Sequence, residues 1–150
     1  MTHTIKIHIL ENGKELSLPA YATPQSAGLD LLAAIPEDII LNPGERGVIP
    51  CGFCVALPDG FEAQIRARSG LAAKHGITVL NAPGTIDPDY RGEVKGIMIN
   101  LGSESFVITP GMKFAQMVIA PFTRITWDAV ETFDMAETQR GTGGFGSTGK

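Results

Sequence analysis

Residues 4–10 alternate in character. Ile5, Ile7 and Ile9 fall on one face and Lys6 and His8 on the other, the period of a half-buried strand. The Asn12-Gly13 dipeptide that follows predicts a hairpin turn. Turn signals then recur at Asn42-Pro43-Gly44, Pro58-Asp59-Gly60, Pro83-Gly84, Asp87-Pro88-Asp89 and Pro110-Gly111. Short apolar segments lie between them, at 48–57, 61–66, 77–80, 94–101, 106–108 and 114–121. Most have strand length and are rich in Val, Ile and Phe. The internal helix is predicted at 69–75, about two turns long, with Ser69 at its start and Gly76 as its stop. The pattern predicts an all-β fold: a distorted, jelly-roll-like antiparallel sandwich or barrel with one short helix. No internal repeat or second domain interrupts it. Residues 1–134 read as the β-domain and 135–150 as a flexible, Gly-rich C-terminal arm.

Composition sharpens this picture. A chain of 150 residues suits one domain. Gly 18 and Pro 10 demand many turns, which favours short strands. With 43% hydrophobic and 19% charged residues the chain is expected to fold. A formal net charge of -4 argues against a general nucleic-acid surface and leaves room for a small anion where cations cluster. No apolar run approaches the roughly 18 residues of a membrane span, so no membrane partner is expected. The first residues lack an unbroken apolar stretch, and the expected location is the cytoplasm. Cys51 and Cys54 do not make a disulfide framework.

Several segments could carry chemistry. Cys51-Gly-Phe-Cys54 could be a redox pair or half a zinc site, but His3, His8 and His75 have no paired spacing and the segment reads as strand, so core cysteines are expected. Arg68-Ser69-Gly70 enters a helix start, where bare amides suit an anion. The plainer alternative makes Ser69 an N-cap and Arg68 a surface charge. Residues 81–95 read as a hairpin with Asp87, Asp89 and Tyr90 at its bend. Asp87 precedes Pro88 and is held extended; it could present a base beside a sugar ring or simply belong to an Asp-Pro turn. Asp89 reads as a turn residue. Asp30 lies between leucines and needs a partner if buried, and Gln116 is a polar residue inside an apolar strand. In the tail, Arg140, Phe145, Ser147, Thr148 and Lys150 could clamp a phosphate and a base, or the tail could be a frayed terminus.

Together these segments resemble the trimeric dUTPase family, the dUTP nucleotidohydrolases. The resemblance rests on five ordered motifs: Ala27-Gly28-Leu29-Asp30-Leu31, Arg68-Ser69-Gly70-Leu71-Ala72, residues 81–95, Gly111-Met112-Lys113-Phe114-Ala115-Gln116, and Arg140 through Thr148. They span nearly the whole chain. Ala67 stands where members often have Pro, and Met112-Lys113 replaces the more usual acidic-Arg pair. Lys113 lacks the guanidinium fork, which weakens its case as a phosphate contact.

The resemblance implies hydrolysis of dUTP to dUMP and pyrophosphate, with water attacking the α-phosphorus. It implies that Asp87 is the general base. It implies uracil reading by backbone groups at Thr85, Ile86, Asp87 and Lys95 with the Asn81 amide, and that Tyr90 stacks on deoxyribose and blocks a ribose 2′-hydroxyl. Phosphate contacts are implied for Arg68, Ser69, Gly70 and Gln116. The arm is implied to close last, with Phe145 over uracil and Arg140, Gly146, Ser147 and Thr148 on the phosphates. Mg²⁺ is the implied cofactor, held mainly by the triphosphate, with Asp30 acting through water. A homotrimer with shared active sites is implied, the tail crossing to another protomer. Two rivals remain. A dCTP deaminase-like enzyme would use a Glu near the hairpin, such as Glu93. A non-catalytic nucleotide sensor would keep the scaffold and lose the base or the tail.

Overall fold

The largest sheet has five strands in the order β2 (Ala20–Tyr21), β3 (Gly28–Leu32), β12 (Lys113–Pro121), β7 (Phe61–Arg66) and β9 (Gly84–Ile86). It belongs to a computed structural model that describes residues 3–146 and 149. A three-stranded sheet is ordered β5 (Arg46–Pro50), β10 (Lys95–Asn100), β8 (Ile77–Val79). Two further ladders pair β1 (Lys6–Ile9) with β6 (Phe53–Ala56), and β4 (Ile39–Leu41) with β11 (Phe106–Ile108). All of these pairings are antiparallel. The helix α1 covers Ser69–His75, as its punctuation predicts, and Gly76 caps it with φ 69°. The predicted all-β architecture with one short helix is therefore the observed one. No helix is long and apolar enough to cross a membrane among the described residues.

The sheets close over one apolar core that includes Leu31, Ile49, Ile65, Ile77, Met98, Ile108 and Phe114. The alternation of Ala63 and Ile65 with Gln64 and Arg66 shows how β7 divides inside from outside. Asn100 is the one buried polar residue among the described residues, and its bonds explain why it is tolerated. Its amide donates to the Leu41 and Glu104 carbonyls at 2.8 and 2.7 Å, and its oxygen accepts from the Gly102 N–H at 2.8 Å.

Three local expectations are corrected. Asn12-Gly13 makes no hairpin: residues Glu11–Gly13 form a single helical turn, and β1 pairs with β6 instead. The reason is packing, because the Gly13 and Gly52 backbones meet so closely that a Cβ on either would overlap the other. The apolar segment 48–57 breaks into β5 and β6 at Cys51-Gly52, where Gly52 takes φ 75° and sends the chain to another ladder. Residues 81–95 do not pair as a hairpin either. One arm, β9, joins β7 in the five-stranded sheet, and the other, β10, joins β5 and β8. The divergence of these arms opens a cavity.

Candidate active site

Strand register assembles the first half of the site. Asp30 on β3, Gln116 on β12 and Arg66 on β7 stand opposite one another across three adjacent strands. Residues in register share a face, so the three polar side chains form one row. The lone Asp30 finds the partners it needs: Oδ1 lies 3.2 Å from Arg68 Nε and Oδ2 lies 2.8 Å from Lys113 Nζ. Arg68 Nη1 also donates to the Lys113 carbonyl at 3.2 Å. The Gln116 amide donates to the Ala67 carbonyl at 2.9 Å. A Cβ at Gly28 would run into Gln116 Oε1, so the glycine makes room for that side chain.

Asp30, Arg66, Arg68 and Gln116 line a cavity of about 610 Å³ together with Ser69, Gly70, Lys74 and His75. Ser69 is the first helical residue and Arg68 is the cap, with no side-chain cap bond, which corrects the N-cap alternative for Ser69. Residues opening a helix have amides without intrahelical acceptors. Nothing lies within 4 Å of a Cβ built on Gly70, so its bare backbone faces open space. The cavity thus combines cations, a hydroxyl and unpaired amides, the donor set that a polyphosphate requires.

The second half of the site lies where β9 and β10 part. A cavity of about 320 Å³ is lined by Asn81, Thr85, Ile86, Asp87, Tyr90 and Lys95, with Val48, Ile65 and Val79 as apolar wall. The Ala82–Pro83 bond leading into β9 is cis. The Tyr90 N–H donates to the Asp87 carbonyl at 3.1 Å and closes the turn. The Tyr90 hydroxyl donates to the Glu93 carbonyl at 3.0 Å. The ring folds back over Gly92, where a Cβ would meet the Tyr90 hydroxyl. A small slot with an apolar wall and polar residues at its edge suits a flat heterocycle.

The two cavities lie on opposite sides of the five-stranded sheet. Arg66 and Gln116 line the larger one, whereas their chain neighbours Ile65 and Met117, in register with Gly84, point the other way. Arg140, Phe145 and Gly146 are exposed and line neither cavity. Ser147 and Thr148 lie outside the described residues. Cys51 and Cys54 are free thiols; burial, and then the nearby Glu93 charge, push the Cys51 thiol far above the ordinary range.

A family model described as dUTPase matches residues 14–149. The chain belongs to the dUTPase family. The deoxyuridine 5'-triphosphate nucleotidohydrolase of Rickettsia felis (strain ATCC VR-1525 / URRWXCal2) is 61% identical over 145 residues, which is 97% of this chain and 96% of that protein. The structure of a mutant dUTPase from Staphylococcus bacteriophage 80alpha with dUpNHpp matches with a TM-score of 0.84 at 26% identity, covering 99% of this chain and 100% of that one. A mutant dUTPase from phage phi11 of S. aureus, described for the coordination of a structural Mg(II) ion, matches with a TM-score of 0.76 at 25% identity, covering 87% and 99%.

At this candidate site Arg66 lies outside the five motifs, whereas Lys113 and Glu93 lie inside them with partners that the motifs do not reveal. Arg66 enters the larger cavity, and its period-2 relation to Arg68 and its register with Gln116 are the signals. Lys113 pairs with Asp30. Glu93 joins the smaller cavity through contacts far along the chain, which local spacing does not reveal.

Proposed function

We infer that the chain hydrolyses dUTP to dUMP and pyrophosphate by attack of water on the α-phosphorus. The observation that carries this reading is the division between two cavities. One is a small slot edged by Asn81, Asp87 and Tyr90, and the other is a larger cationic pocket around Arg68 and Gln116. A nucleotide has the same two halves. In this reading Asp87 takes the proton of the attacking water, and positioned base catalysis is worth ~10²–10⁴-fold. Backbone groups at Thr85, Ile86, Asp87 and Lys95, with the Asn81 amide, read uracil. Tyr90 packs on the deoxyribose and excludes a 2′-hydroxyl. Arg68, Ser69, Gly70 and Gln116 hold phosphate oxygens. Residues 135–150 act as the arm that closes the site, bringing Phe145 to the base and Arg140, Gly146, Ser147 and Thr148 to the phosphates.

Opposite-facing cavities also support a homotrimer with shared sites, since one protomer's slot then meets another's cationic pocket. Beyond β12 the exposed Ile125, Trp127 (92% exposed) and Phe133 (77% exposed) fit a segment that packs on a neighbouring copy. The donor set fits a triphosphate, and a Mg²⁺ would be held mainly by that triphosphate rather than by side chains. Both Asp30 oxygens already face cations, and no cluster of three or more His, Cys, Asp or Glu side chains is suited to a metal among the described residues. When bound, Mg²⁺ offsets phosphate charge; Asp30 acts through water or by holding Arg68 and Lys113. Two free cysteines accord with the reducing cytoplasm.

The deaminase reading is weaker because Glu93 is already engaged. Its Oε1 accepts from Asn12 Nδ2 at 2.8 Å and from the Gly52 N–H at 3.0 Å. The deciding experiment is pyrophosphate release with Mg²⁺ from dUTP, UTP, dCTP and dTTP at one concentration. Turnover of dUTP alone is expected. Ammonia from dCTP would replace this reading with deamination, and dUTP binding without turnover would replace it with sensing.

A further inference from the structure

Glu93 is half-buried beside the smaller cavity, yet none of the roles above uses its side chain. Its Oε1 receives two donors from distant parts of the fold, the Asn12 amide and the Gly52 N–H. Its Oε2 lies 3.8 Å from Lys95 Nζ at the start of β10. Its own carbonyl receives the Tyr90 hydroxyl. The next residue is fixed as well: the Val94 N–H donates to the Phe53 carbonyl at 2.9 Å, and the Val94 carbonyl accepts from the Cys51 N–H at 3.0 Å. The loop that carries Asp87 and Tyr90 is therefore tied at its far end to the turn after β1 and to the β5–β6 break.

We propose that Glu93 is a positioning residue that sets the Tyr90 ring against the sugar. The carboxylate holds the Glu93 backbone against Gly52 and Asn12, and that backbone holds the Tyr90 hydroxyl. Tyr90 is otherwise exposed on a turn, where a ring anchored at one end only would swing. A steric reader works only when it cannot yield, so loosening this anchor costs discrimination before it costs turnover of the correct nucleotide. The inference rests on the sugar-reading role given to Tyr90, and the experiment separates the two.

The measurement is kcat/KM for dUTP and for UTP with Mg²⁺, well below the melting temperature, for the wild type, Tyr90→Ala, Tyr90→Phe, Glu93→Ala and Glu93→Gln. Glu93→Ala is expected to lower the dUTP:UTP ratio about tenfold, the scale of losing hydrogen bonds to a charged group. Glu93→Gln keeps an oxygen that can accept from Gly52 and Asn12, and should restore the ratio to within about threefold. Tyr90→Phe keeps the ring, loses its anchor and should fall between. If Tyr90→Ala relaxes the ratio and Glu93→Ala leaves it at the wild-type value, Glu93 does not position the reader. If Tyr90→Ala itself leaves the ratio unchanged, the role of Tyr90 is wrong and the inference goes with it. Should Glu93→Ala not fold, Asn12→Ala carries the test: a fall of about threefold supports the anchor, and an unchanged ratio overturns it.

Discussion

The carboxylate of Asp30 grips the guanidinium of Arg68, with Oδ1 3.2 Å from Nε, and the same carboxylate takes Lys113 on its other oxygen at 2.8 Å. The same guanidinium donates from Nη1 to the Lys113 carbonyl at 3.2 Å, so two of its nitrogens are held by the protein. One partly buried acid thus orients two cations beside the larger cavity, the proposed phosphate pocket. Lys113 has no fork to make a bidentate phosphate contact, and its pairing with Asp30 gives it a different task.

Asp30→Asn should therefore act on binding more than on folding. Asp30 is 17% exposed and Arg68 36%, so the pair is partly solvent-screened and contributes ~1 kcal/mol or less to stability. With the charge gone, both cations lose their fixed orientation. Steady-state kinetics should show KM for dUTP up about tenfold and kcat changed less. An unchanged KM would remove Asp30 from this role.

Gly28→Ala makes a cleaner split. The new Cβ would strike Gln116 Oε1, the far end of a side chain that can rotate away, so the sheet should survive with a loss of ~1 kcal/mol or less. The displaced Gln116 loses its bond to the Ala67 carbonyl and its place in the proposed phosphate pocket. We expect kcat/KM to drop about tenfold while the melting temperature moves by only a few degrees. A variant that melts far lower with normal kinetics per folded molecule would show that Gly28 serves the sheet alone.

How much of this was legible beforehand varies with the range of the interaction. Strands β7 and β11 and helix α1 match their predicted bounds, because period, length and a Ser start with a Gly stop are local signals. Asn12-Gly13 misled because the approach of Gly13 to Gly52, across a large sequence separation, outweighed the turn preference. The bend at 81–95 was visible, but the separation of its arms was not, since β9 and β10 choose partners far along the chain. The same holds at the site. Asp30 was recognisable as a charge in need of a partner, while Lys113 and Glu93 took their places only through register and long-range contact.

Asp87→Asn tests the proposed base directly. The substitution keeps shape and removes the proton acceptor, so nucleotide binding by calorimetry should persist. Turnover of dUTP should fall ~10²–10⁴-fold. A variant with wild-type kcat would take Asp87 out of the base role.

Asn100 offers a control away from the nucleotide. It lines neither cavity, yet its side chain satisfies three backbone groups that join β10 to β4 and to the loop before β11. Asn100→Leu strands those groups without partners, and chemical denaturation should show a loss of ~2–4 kcal/mol. Activity per folded molecule should hold. A neutral effect on stability would mean that water replaces all three bonds.

Deleting residues 141–150 asks whether the arm works as a lid. Among the described residues the hydrogen bonds of this stretch stay within the arm: the Gly141 N–H meets Thr138 Oγ1, and the Gly143 N–H meets the Arg140 carbonyl. Because the described residues of this segment make no hydrogen bond to the body, its removal should leave the melting temperature nearly unchanged. The exposed Ile125, Trp127 and Phe133 remain in the truncated chain, so light scattering should report the same assembly as for the full chain, the proposed trimer. Activity should behave differently. The proposed lid brings a ring to the base, adds donors at the phosphates and excludes water, and losing even one such donor typically costs ~10²-fold or more. We expect kcat/KM for dUTP to fall by at least that factor, with kcat carrying much of the loss because closure completes the site. Full activity in a stable trimer would make the arm a passive tail, and monomers with weak activity would mean that the deleted residues hold the copies together.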